Sequence, residues 1–437
     1  MATLLRMATA GSVDDGKSTL VGRLLHDSKA VLADQLEAVE RVSRDKGLGH
    51  VDLALLTDGL RAEREQGITI DVAYRYFATA KRSFILADCP GHVQYTRNTV
   101  TGSSTADVLV VLVDARHGVV EQTRRHLAVG HLLRVPHVVV AVNKIDLVDW
   151  SEQRFTEVAA QVHRVTTNLG IESVQVLPVS ALIGDNVVSR SRQMDWYTGP
   201  SLLEFLETLP ADDPSTRHTE TGEVDRPLRF PVQLALRPQG AAVAEELGEY
   251  RGYAGQISSG VIRRGERVVV LPSGKHTTVV GIDTASGELT EAFAPQSVAL
   301  RLADEIDITR GELIASAQDA PVVTKDLRLT VVWLHERALT PGAKVLVKHT
   351  TRTVQGIVTS IDGRLDLDSL DARPAERLEL NDIGRLRLRL SNPVMADSYE
   401  QNRGTGSLLL VDSQSGANLA AGMIDGTGAV GLDEEGL

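Results

Sequence analysis

Residues Gly11–Ser18 have the types and the spacing of a loop that binds phosphate. The segment fits Gly-x-x-x-x-Gly-Lys-Ser, between an apolar run that predicts a strand and the helical pattern Ser18–His26. A chance glycine-rich turn is the alternative, and the strand–loop–helix setting argues against it. Glycines let the backbone fold around a phosphate with its N–H groups pointing inward, and a helix start attracts anions. The predicted contacts are Gly11, Ser12, Val13, Asp14, Asp15, Gly16, Lys17, Ser18 and Thr19, with Lys17 on the β- and γ-phosphates and the Ser18 hydroxyl on Mg²⁺.

The segment Asp88–His92 follows the predicted strand Ser83–Asp88. An acidic residue at the end of a strand beside the phosphate loop is placed to hold the magnesium shell, so Asp88 is a predicted metal residue. The backbone N–H of Gly91 is placed to detect the γ-phosphate. Cys89 is interpreted as a small residue in a tight turn and not as a nucleophile, because no general base is evident beside it.

A third segment, Glu63–Ile70, lies between these two. Taken alone it would be a helix that ends at Gly67, followed by a strand. The hydroxyl of Thr69 can join Mg²⁺ when a γ-phosphate orders the loop, as in switch segments. Together with the other motifs, Thr69 is therefore a predicted metal and catalytic residue.

Two further segments predict recognition of a guanine base. Asn143, Lys144 and Asp146 follow the predicted strand His137–Val142, at a strand end where nucleotides bind. The Asp146 carboxylate can accept hydrogen bonds from the ring N–H and the exocyclic amine of guanine, a pair that adenine lacks. Such a site can discriminate by about 10⁴-fold. Ser180, Ala181 and Leu182 follow the next strand, Val174–Val179, and we expect the Ala181 N–H to face the base oxygen.

Composition restricts the class of protein. The chain has 437 residues with 42% hydrophobic and 24% charged residues, as in soluble globular proteins of two or three domains. The net charge of −12 argues against general nucleic-acid binding, which needs a basic face. A single cysteine suits a reducing cytoplasm, and no apolar run is long enough to cross a membrane. We expect a cytoplasmic protein without membrane or nucleic-acid partners.

The pattern along the chain predicts an α/β domain followed by two β-barrels. Apolar runs alternate with helical patterns up to about Leu209, which is typical of a mostly parallel sheet with helices on both faces. Short strands separated by Gly and Pro turns follow, among them Tyr253–Ile262, and predict closed barrels. Within the second barrel, Arg385–Leu390 alternates arginine and leucine, giving a cationic face that suits either solvent or an acidic partner. The predicted domains are 1–209, a linker 210–226, barrels 227–320 and 321–424, and a tail 425–437.

The ordered series of nucleotide motifs resembles the translation-factor class of P-loop GTPases over the whole chain. In that class a histidine after Pro-Gly orients the attacking water, and His92 holds the matching position. The resemblance also implies that Val13 and Ile68 restrain this histidine and that Asp14 matches a position linked to a monovalent cation. The predicted catalytic residues are therefore His92, Lys17 and Thr69. A surface loop histidine is the alternative interpretation of His92.

Six strings carry a closer resemblance: Asp52–Phe77, Gln94–Asn98, Gln122–His126, Tyr250–Gln256, Asp304–Ile308 and Leu380–Gly384. Through them the chain resembles, within that class, the large subunit of bacterial sulfate adenylyltransferase. Cys89 departs from this family, in which a threonine is expected, and resembles elongation factors.

The resemblance implies that GTP hydrolysis drives the formation of adenylylsulfate and pyrophosphate from ATP and sulfate. The sequence has no Ser-Gly-Gly-x-Asp-Ser loop and no His-x-x-His pair, so adenylyl transfer is expected on a smaller catalytic partner subunit in a hetero-oligomer. With one phosphate loop and an end after the second barrel, we expect no fused adenylylsulfate kinase. The alternatives are an elongation-factor-like GTPase that binds aminoacyl-tRNA and a regulatory switch with little turnover.

Overall fold

The computed structural model describes most of the chain as two compact units. It covers residues 3–31, 33–45, 51–56, 72–92, 96–171, 173–210, 226–238, 249–367, 369 and 371–427. Unit 1 comprises Met1–Asp213 and Asp366–Asp371, and unit 2 comprises Pro214–Leu365 and Ala372–Leu437.

Unit 1 is built on a six-stranded sheet in the order β2-β3-β1-β4-β5-β6. All neighbouring strands are parallel except β2, which runs antiparallel to β3 at one edge. Every residue of β4 is buried, as expected for a central strand of a sheet that is covered on both faces. The strands are β1 (Thr3–Ala10), β2 (Ala73–Ala78), β3 (Arg82–Asp88), β4 (Val108–Asp114), β5 (His137–Asn143) and β6 (Val174–Pro178).

Helices cover both faces of this sheet, which confirms the predicted α/β class. Leu24 and Leu206 of two helices join one core cluster with Leu5 and Leu112 of the sheet. On the opposite face another helix approaches so closely that a Cβ at Gly130 would lie 2.5 Å from the Leu109 side chain. The helices are α1 (Lys17–Asp27), α2 (Ala33–Asp45), α3 (Thr96–Ser103), α4 (Glu121–Leu132), α5 (Glu152–Asn168) and α6 (Leu202–Thr208), with 3₁₀ turns at Leu53–Leu56 and Ile145–Val148. In the described part of the chain, no helix has the length and apolarity to span a membrane.

Unit 2 contains two closed β-barrels, as the sequence predicts. The first sheet runs β10-β15-β7-β8-β14-β11-β12, and a pairing of β10 with β11 closes the ring. The second runs β17-β21-β22-β16-β20-β18-β19 and is closed by a pairing of β17 with β18. The strands are β7 (Arg229–Leu236), β8 (Gly252–Gln256), β9 (Val261–Arg263), β10 (Arg267–Leu271), β11 (Lys275–Thr284), β12 (Gly287–Leu289), β13 (Glu291–Phe293), β14 (Ser297–Leu302), β15 (Leu313–Ser316), β16 (Val322–Trp333), β17 (Lys344–His349), β18 (Arg352–Leu365), β19 (Ala372–Arg373), β20 (Ile383–Ala396), β21 (Ser407–Val411) and β22 (Asn418–Thr427).

The predicted single strand Tyr253–Ile262 is wrong. It is two strands, β8 and β9, separated by a turn in which Gly260 has a φ of +75°. A Cβ at Gly260 would lie 2.6 Å from the backbone nitrogen of Leu228, so the turn requires glycine both for its conformation and for its close packing. Apolar residues on both sides of this turn, together with Ile257 between them, made the segment resemble one strand in the sequence.

The predicted tail 425–437 also begins too early, because β22 continues to Thr427. The Thr330 hydroxyl donates to the Asp425 carboxylate at 2.8 Å, which ties that residue to the barrel. Both barrels lie within one compact unit, and a buried pair joins them: Arg229 donates to both carboxylate oxygens of Asp397 at 2.8 Å. The remaining predicted boundaries of the domains and the linker stay predictions.

The arginine-rich face of β20 is solvated. Leu386, Leu388 and Leu390 are buried, whereas the arginines between them are exposed. Arg387 forms an ion pair with Asp362 at 3.2 Å and Arg389 with Asp326 at 3.4 Å. Neighbouring carboxylates therefore balance part of this charge, which favours a solvated strand face.

Candidate nucleotide-binding site

The predicted nucleotide segments lie after the carboxyl ends of parallel strands. The phosphate loop follows β1, Asp88 ends β3, Asn143 ends β5 and Ser180 comes shortly after β6. Since these strand ends share one edge of the sheet, the topology brings the segments together as predicted. Thr69 and Ile68 lie outside the described residues, so their roles stay predictions.

The phosphate loop is held against the base-recognition segment at Gly16. This residue has a φ of +90°, and a Cβ there would lie 2.5 Å from the amide nitrogen of Asn143. The Asn143 amide donates to the Asp15 carbonyl at 2.7 Å. Only glycine permits both the backbone conformation and the close approach, so the second glycine of the motif has a structural reason. Lys17, Ser18 and Thr19 follow in the first turn of α1.

The ammonium group of Lys17 is buried within the loop. It donates to the carbonyls of Gly11 at 2.9 Å and Ser12 at 2.7 Å, and the residue is 7% exposed. Burial lowers the pKa of Lys17, while the negative charges of Asp15 and Asp88 oppose that shift. An ammonium group that is fixed among backbone carbonyls is positioned to receive a phosphate.

The side chain of Asp15 stabilises the phosphate loop. Its carboxylate accepts the Ser12 N–H at 2.6 Å, and burial raises the pKa of this carboxyl. The negative side chain thus holds the loop's own backbone. The Asp15 N–H donates to the Ser12 carbonyl at 3.3 Å, so a phosphate contact with this N–H would share it. Val13 and Asp14 are exposed at the tip of the loop, where Asp14 has a φ of +67°.

The oxygen donors near the loop fit a magnesium ion. Asp88 is 2% exposed, and its carboxylate accepts the Thr9 hydroxyl at 2.9 Å, which fixes the side chain at the end of β3. The Lys17 ammonium is near enough for its charge and that of Asp88 to interact. Carboxylate and hydroxyl oxygens from Asp88 and Ser18 are the ligand types that Mg²⁺ prefers.

Gly91 lies directly against the phosphate loop. A Cβ there would fall 2.2 Å from the Lys17 ammonium nitrogen and 2.6 Å from the Gly11 carbonyl oxygen. The next residue, His92, is half-buried. The predicted γ-phosphate detector and the candidate catalytic histidine are therefore adjacent to the residues expected to bind phosphate. Cys89 is fully buried, and burial raises the pKa of its thiol, which supports the interpretation of an inert residue.

Asn143 connects the two halves of the site. Its amide nitrogen donates to the phosphate loop, and its amide oxygen accepts the Ala181 N–H at 2.9 Å. The sequence predicts that this N–H faces the base oxygen. In the structure the donor is engaged by Asn143, so any contact with a base would share it.

Asp146 presents an acceptor that lacks a partner. Its Oδ1 atom is buried and has no hydrogen bond within the described residues. An unpaired buried carboxylate oxygen is unfavourable unless a ligand supplies donors. Leu182 and Leu147, 42% and 55% exposed, also lie in the two base-recognition segments. A flat base with two adjacent N–H donors, which is the guanine pattern, fits this combination.

Asp114 is a site residue that the motif analysis missed. It ends β4 with 3% of its side chain exposed, and its carboxylate lies 3.1 Å from the Lys144 ammonium. Burial opposes its ionisation, but hydrogen bonds from Arg116 and Lys144 outweigh burial and hold the pKa of Asp114 below its usual range. Lys144 also donates to the Asp14 carbonyl. The sequence shows that Asp114 ends a predicted strand. It does not show the ion pair with Lys144, because that residue follows the neighbouring strand β5.

His126 is a second residue whose place the motifs do not reveal. It lies on α4, 1% exposed, with Gln122 at 3.3 Å. Burial lowers the pKa of His126 to about 3, the nearby Lys17 charge adds to this shift, and a hydrogen bond with the backbone of Gly11 opposes it. A neutral imidazole thus supports the phosphate loop from behind.

We expect His126 to make stability depend on pH. In the unfolded chain the imidazole binds a proton near pH 6.5, whereas the folded-state pKa is about 3. Only the unfolded chain binds the proton between these values. The free energy of unfolding is therefore unaffected by this titration above pH 6.5. Below that value it falls by about 1.4 kcal/mol per pH unit.

The variant His126→Gln removes this titration. As the pH falls from 7 to 5, the free energy of unfolding of the variant relative to that of the wild type should therefore rise by about 2 kcal/mol. Urea unfolding at both pH values measures the change. His163→Gln, at an exposed position of α5, is the control. A difference between wild type and His126→Gln that stays constant with pH would contradict the assignment.

Family models and known proteins resemble this chain. Residues 2–211 match the family model of the elongation factor Tu GTP-binding domain, and residues 326–425 match the GTP-eEF1A C-terminal domain-like model. The bifunctional enzyme CysN/CysC of Mycobacterium tuberculosis is 51% identical over 97% of this chain and 67% of its own length. Sulfate adenylyltransferase subunit 1 of Aeromonas hydrophila is 47% identical over 97% of this chain and 86% of its own length. A solved structure of sup35 with GMPPNP is 23% identical over 97% of this chain and 94% of that chain, with a TM-score of 0.42.

Proposed function

We propose, from the premise that this chain belongs to the sulfate adenylyltransferase subunit 1 family, that it couples GTP hydrolysis to adenylylsulfate formation on a partner subunit. The chain carries the GTP-binding domain of that family and is the GTPase component of the enzyme. The coupling, the partner and the roles of individual residues are the proposal. The part of the proposal that concerns the nucleotide rests on one observation. The Oδ1 atom of Asp146, beside the phosphate loop, is buried and has no hydrogen bond among the described residues.

Guanine is the base that satisfies this site. The Asp146 carboxylate would accept from the ring N–H and the exocyclic amine, while Asn143 holds the base-recognition segments to the phosphate loop. Adenine presents no such donor pair and would leave a buried charge unpaired. The expected preference for guanine is about 10⁴-fold.

The phosphate side of the site supports hydrolysis by positioning. Backbone N–H groups of the phosphate loop and the Lys17 ammonium would hold the β- and γ-phosphates. His92 would orient a water molecule for in-line attack on the γ-phosphorus, which breaks the bond to the bridging oxygen and releases phosphate. The Gly91 N–H would contact a γ-phosphate oxygen, so the segment from Asp88 to His92 would respond to the loss of that group.

We propose that Ser18, Asp88 and Thr69 hold a magnesium ion, either directly or through water. When bound, Mg²⁺ would supply positive charge that neutralises negative charge on the phosphate oxygens. Thr69 would join this set only when the γ-phosphate is present. Thr9 keeps the Asp88 carboxylate in place through its 2.9 Å hydrogen bond.

The coupling has a chemical reason. Attack of a sulfate oxygen on the α-phosphorus of ATP forms a phosphate–sulfate mixed anhydride and releases pyrophosphate. The anhydride is an unfavourable product to accumulate, so GTP hydrolysis must supply free energy. The chain's sequence offers no candidate loop for adenylyl transfer, so we place that step on a smaller subunit that binds ATP and sulfate, in a cytoplasmic hetero-oligomer.

The test is reconstitution of this chain with its candidate small subunit. We expect adenylylsulfate to form from ATP and sulfate in the presence of GTP, and GTP hydrolysis to rise when both substrates are added. GTP binding without any response to sulfate, ATP or the subunit would contradict the coupling. Filter binding of charged tRNA would then test the elongation-factor alternative, against which the net charge of −12 weighs.

A further inference from the structure

Helix α1 touches the nucleotide site at two places. Its first turn contains Lys17 and Ser18, the candidate phosphate and magnesium residues. In the next turn, Arg23 extends its side chain to the base-recognition segment that follows β6. Its Nε donates to the Ala181 carbonyl at 3.2 Å, and its Nη2 donates to the Leu182 carbonyl. One guanidinium therefore holds two successive carbonyls, a geometry that suits its planar fork of donors.

These hydrogen bonds complete the fixation of Ala181. Its N–H is bound to the Asn143 amide oxygen at 2.9 Å, while its carbonyl is bound to Arg23. The backbone of Ala181 is thus held from the side of β5 and from the side of α1. Asn143 also donates to the phosphate loop at Asp15. Both anchors of Ala181 therefore come from parts of the chain that are connected to phosphate binding.

The loop beyond Leu182 lies on the stem of the same arginine. A Cβ at Gly184 would be 3.5 Å from the Arg23 Cδ and 3.5 Å from the Asp27 carboxylate. The Arg23 side chain is only 18% exposed, and its guanidinium lies 3.6 Å from Asp27, one turn further along α1. Gly184 has a φ of +101°, so the loop turns directly over Arg23. Packing and the ion pair therefore restrict Arg23 to the rotamer that reaches the carbonyls.

We infer that Arg23 is a positioning residue that determines selectivity for the C6 oxygen of guanine. It sets the backbone of Ser180–Leu182 and links this segment to the helix that starts at the phosphate loop. In the proposed site the Ala181 N–H, which donates to Asn143, would be shared with the C6 oxygen. The inference rests on the proposed guanine site. Arg23 itself does not touch the base, and the amine at C2 is recognised independently by Asp146.

Base analogues separate this role from a general effect on folding. GDP has both the C6 oxygen and the C2 amine, IDP lacks the amine, and 2-aminopurine riboside diphosphate keeps the amine but lacks both the oxygen and the ring N–H at N1. We expect Arg23→Ala to weaken binding of GDP and IDP by about tenfold, the size of a charged hydrogen bond. The affinity for 2-aminopurine riboside diphosphate should not change. Arg23→Lys should give a partial loss, because one ammonium cannot reproduce the fork.

The measurement is competition of the three diphosphates against labelled GDP, with Arg23→Gln as the replacement if the alanine variant does not fold. Arg190→Gln is the control, since the Arg190 side chain is 57% exposed and forms an ion pair with Glu204. An equal loss for all three ligands, or no loss for any, would overturn the inference. A wild-type protein that binds the three equally would instead contradict the guanine site itself.

Discussion

Replacing Asp146 with asparagine should lower the affinity for GDP by about 10⁴-fold. The Asp146 Oδ1 is a buried acceptor without a partner among the described residues, and guanine supplies the two donors that it needs. An asparagine at this position keeps one acceptor oxygen for the ring N–H of guanine but presents its amide N–H₂ to the exocyclic amine. Two donors would then face each other in a buried site, which removes the favourable hydrogen bond and adds a desolvation penalty.

The same change should create affinity for xanthine nucleotides. Xanthine carries a carbonyl at C2 in place of the amine, so it accepts from the asparagine side chain where guanine cannot. Competition of GDP and XDP against a labelled nucleotide measures both changes. Asp149→Asn is the matched control, since Asp149 is exposed, lies three residues further and tolerates asparagine at its φ of +55°. An Asp146→Asn variant that still prefers GDP would show that Asp146 does not select the base.

The second large effect concerns His92. We expect His92→Ala to slow GTP hydrolysis by about 10²–10⁴-fold, the usual contribution of a side chain that assists proton transfer or orients the nucleophile. GTP affinity should change little, because Lys17 and the phosphate loop supply the phosphate contacts. The candidate histidine follows Gly91, which lies against Lys17, so it is near the γ-phosphate position without being part of the phosphate loop.

Single-turnover hydrolysis with the partner subunit present, together with equilibrium binding of GTP, separates the two quantities. His117→Ala is the control, because His117 lies exposed in the loop after β4. Parallel loss of affinity and rate in His92→Ala would mean that His92 supports the structure of the loop. A rate equal to that of the wild type would move the water-orienting role to another residue.

The sequence predicted correctly where the candidate nucleotide segments lie in the sheet, because each motif coincides with the end of a strand pattern. The predicted strand Val108–Asp114 agrees with β4 at both ends, and Ser83–Asp88 differs from β3 by one residue. Central parallel strands are buried on both faces, so their apolar runs are continuous and their ends are sharp. Because the motifs begin at those ends, their order along the chain already specified which segments share one edge of the sheet.

Local sequence patterns do not reveal residues that act through contacts with distant parts of the chain. Arg23 lies 158 positions from Ala181, and Arg229 lies 168 positions from Asp397. No local periodicity relates these pairs, since each depends on how separate elements pack. In the sequence, His126 was noted only as part of Gln122–His126, one of the strings that carry the family resemblance. Its support of the phosphate loop depends on the close packing of α4 behind that loop.

The central claim is that hydrolysis on this chain drives chemistry on its partner. The Asp146→Asn variant tests it directly, because its changed base preference makes the nucleotide that acts on this chain identifiable. The measurement is adenylylsulfate formation from ATP and sulfate by the complex that contains this variant, with XTP or GTP as the second nucleotide. We predict that XTP restores product formation and that GTP at the same concentration does not. If the variant hydrolyses XTP while product formation does not respond to it, the coupling is contradicted.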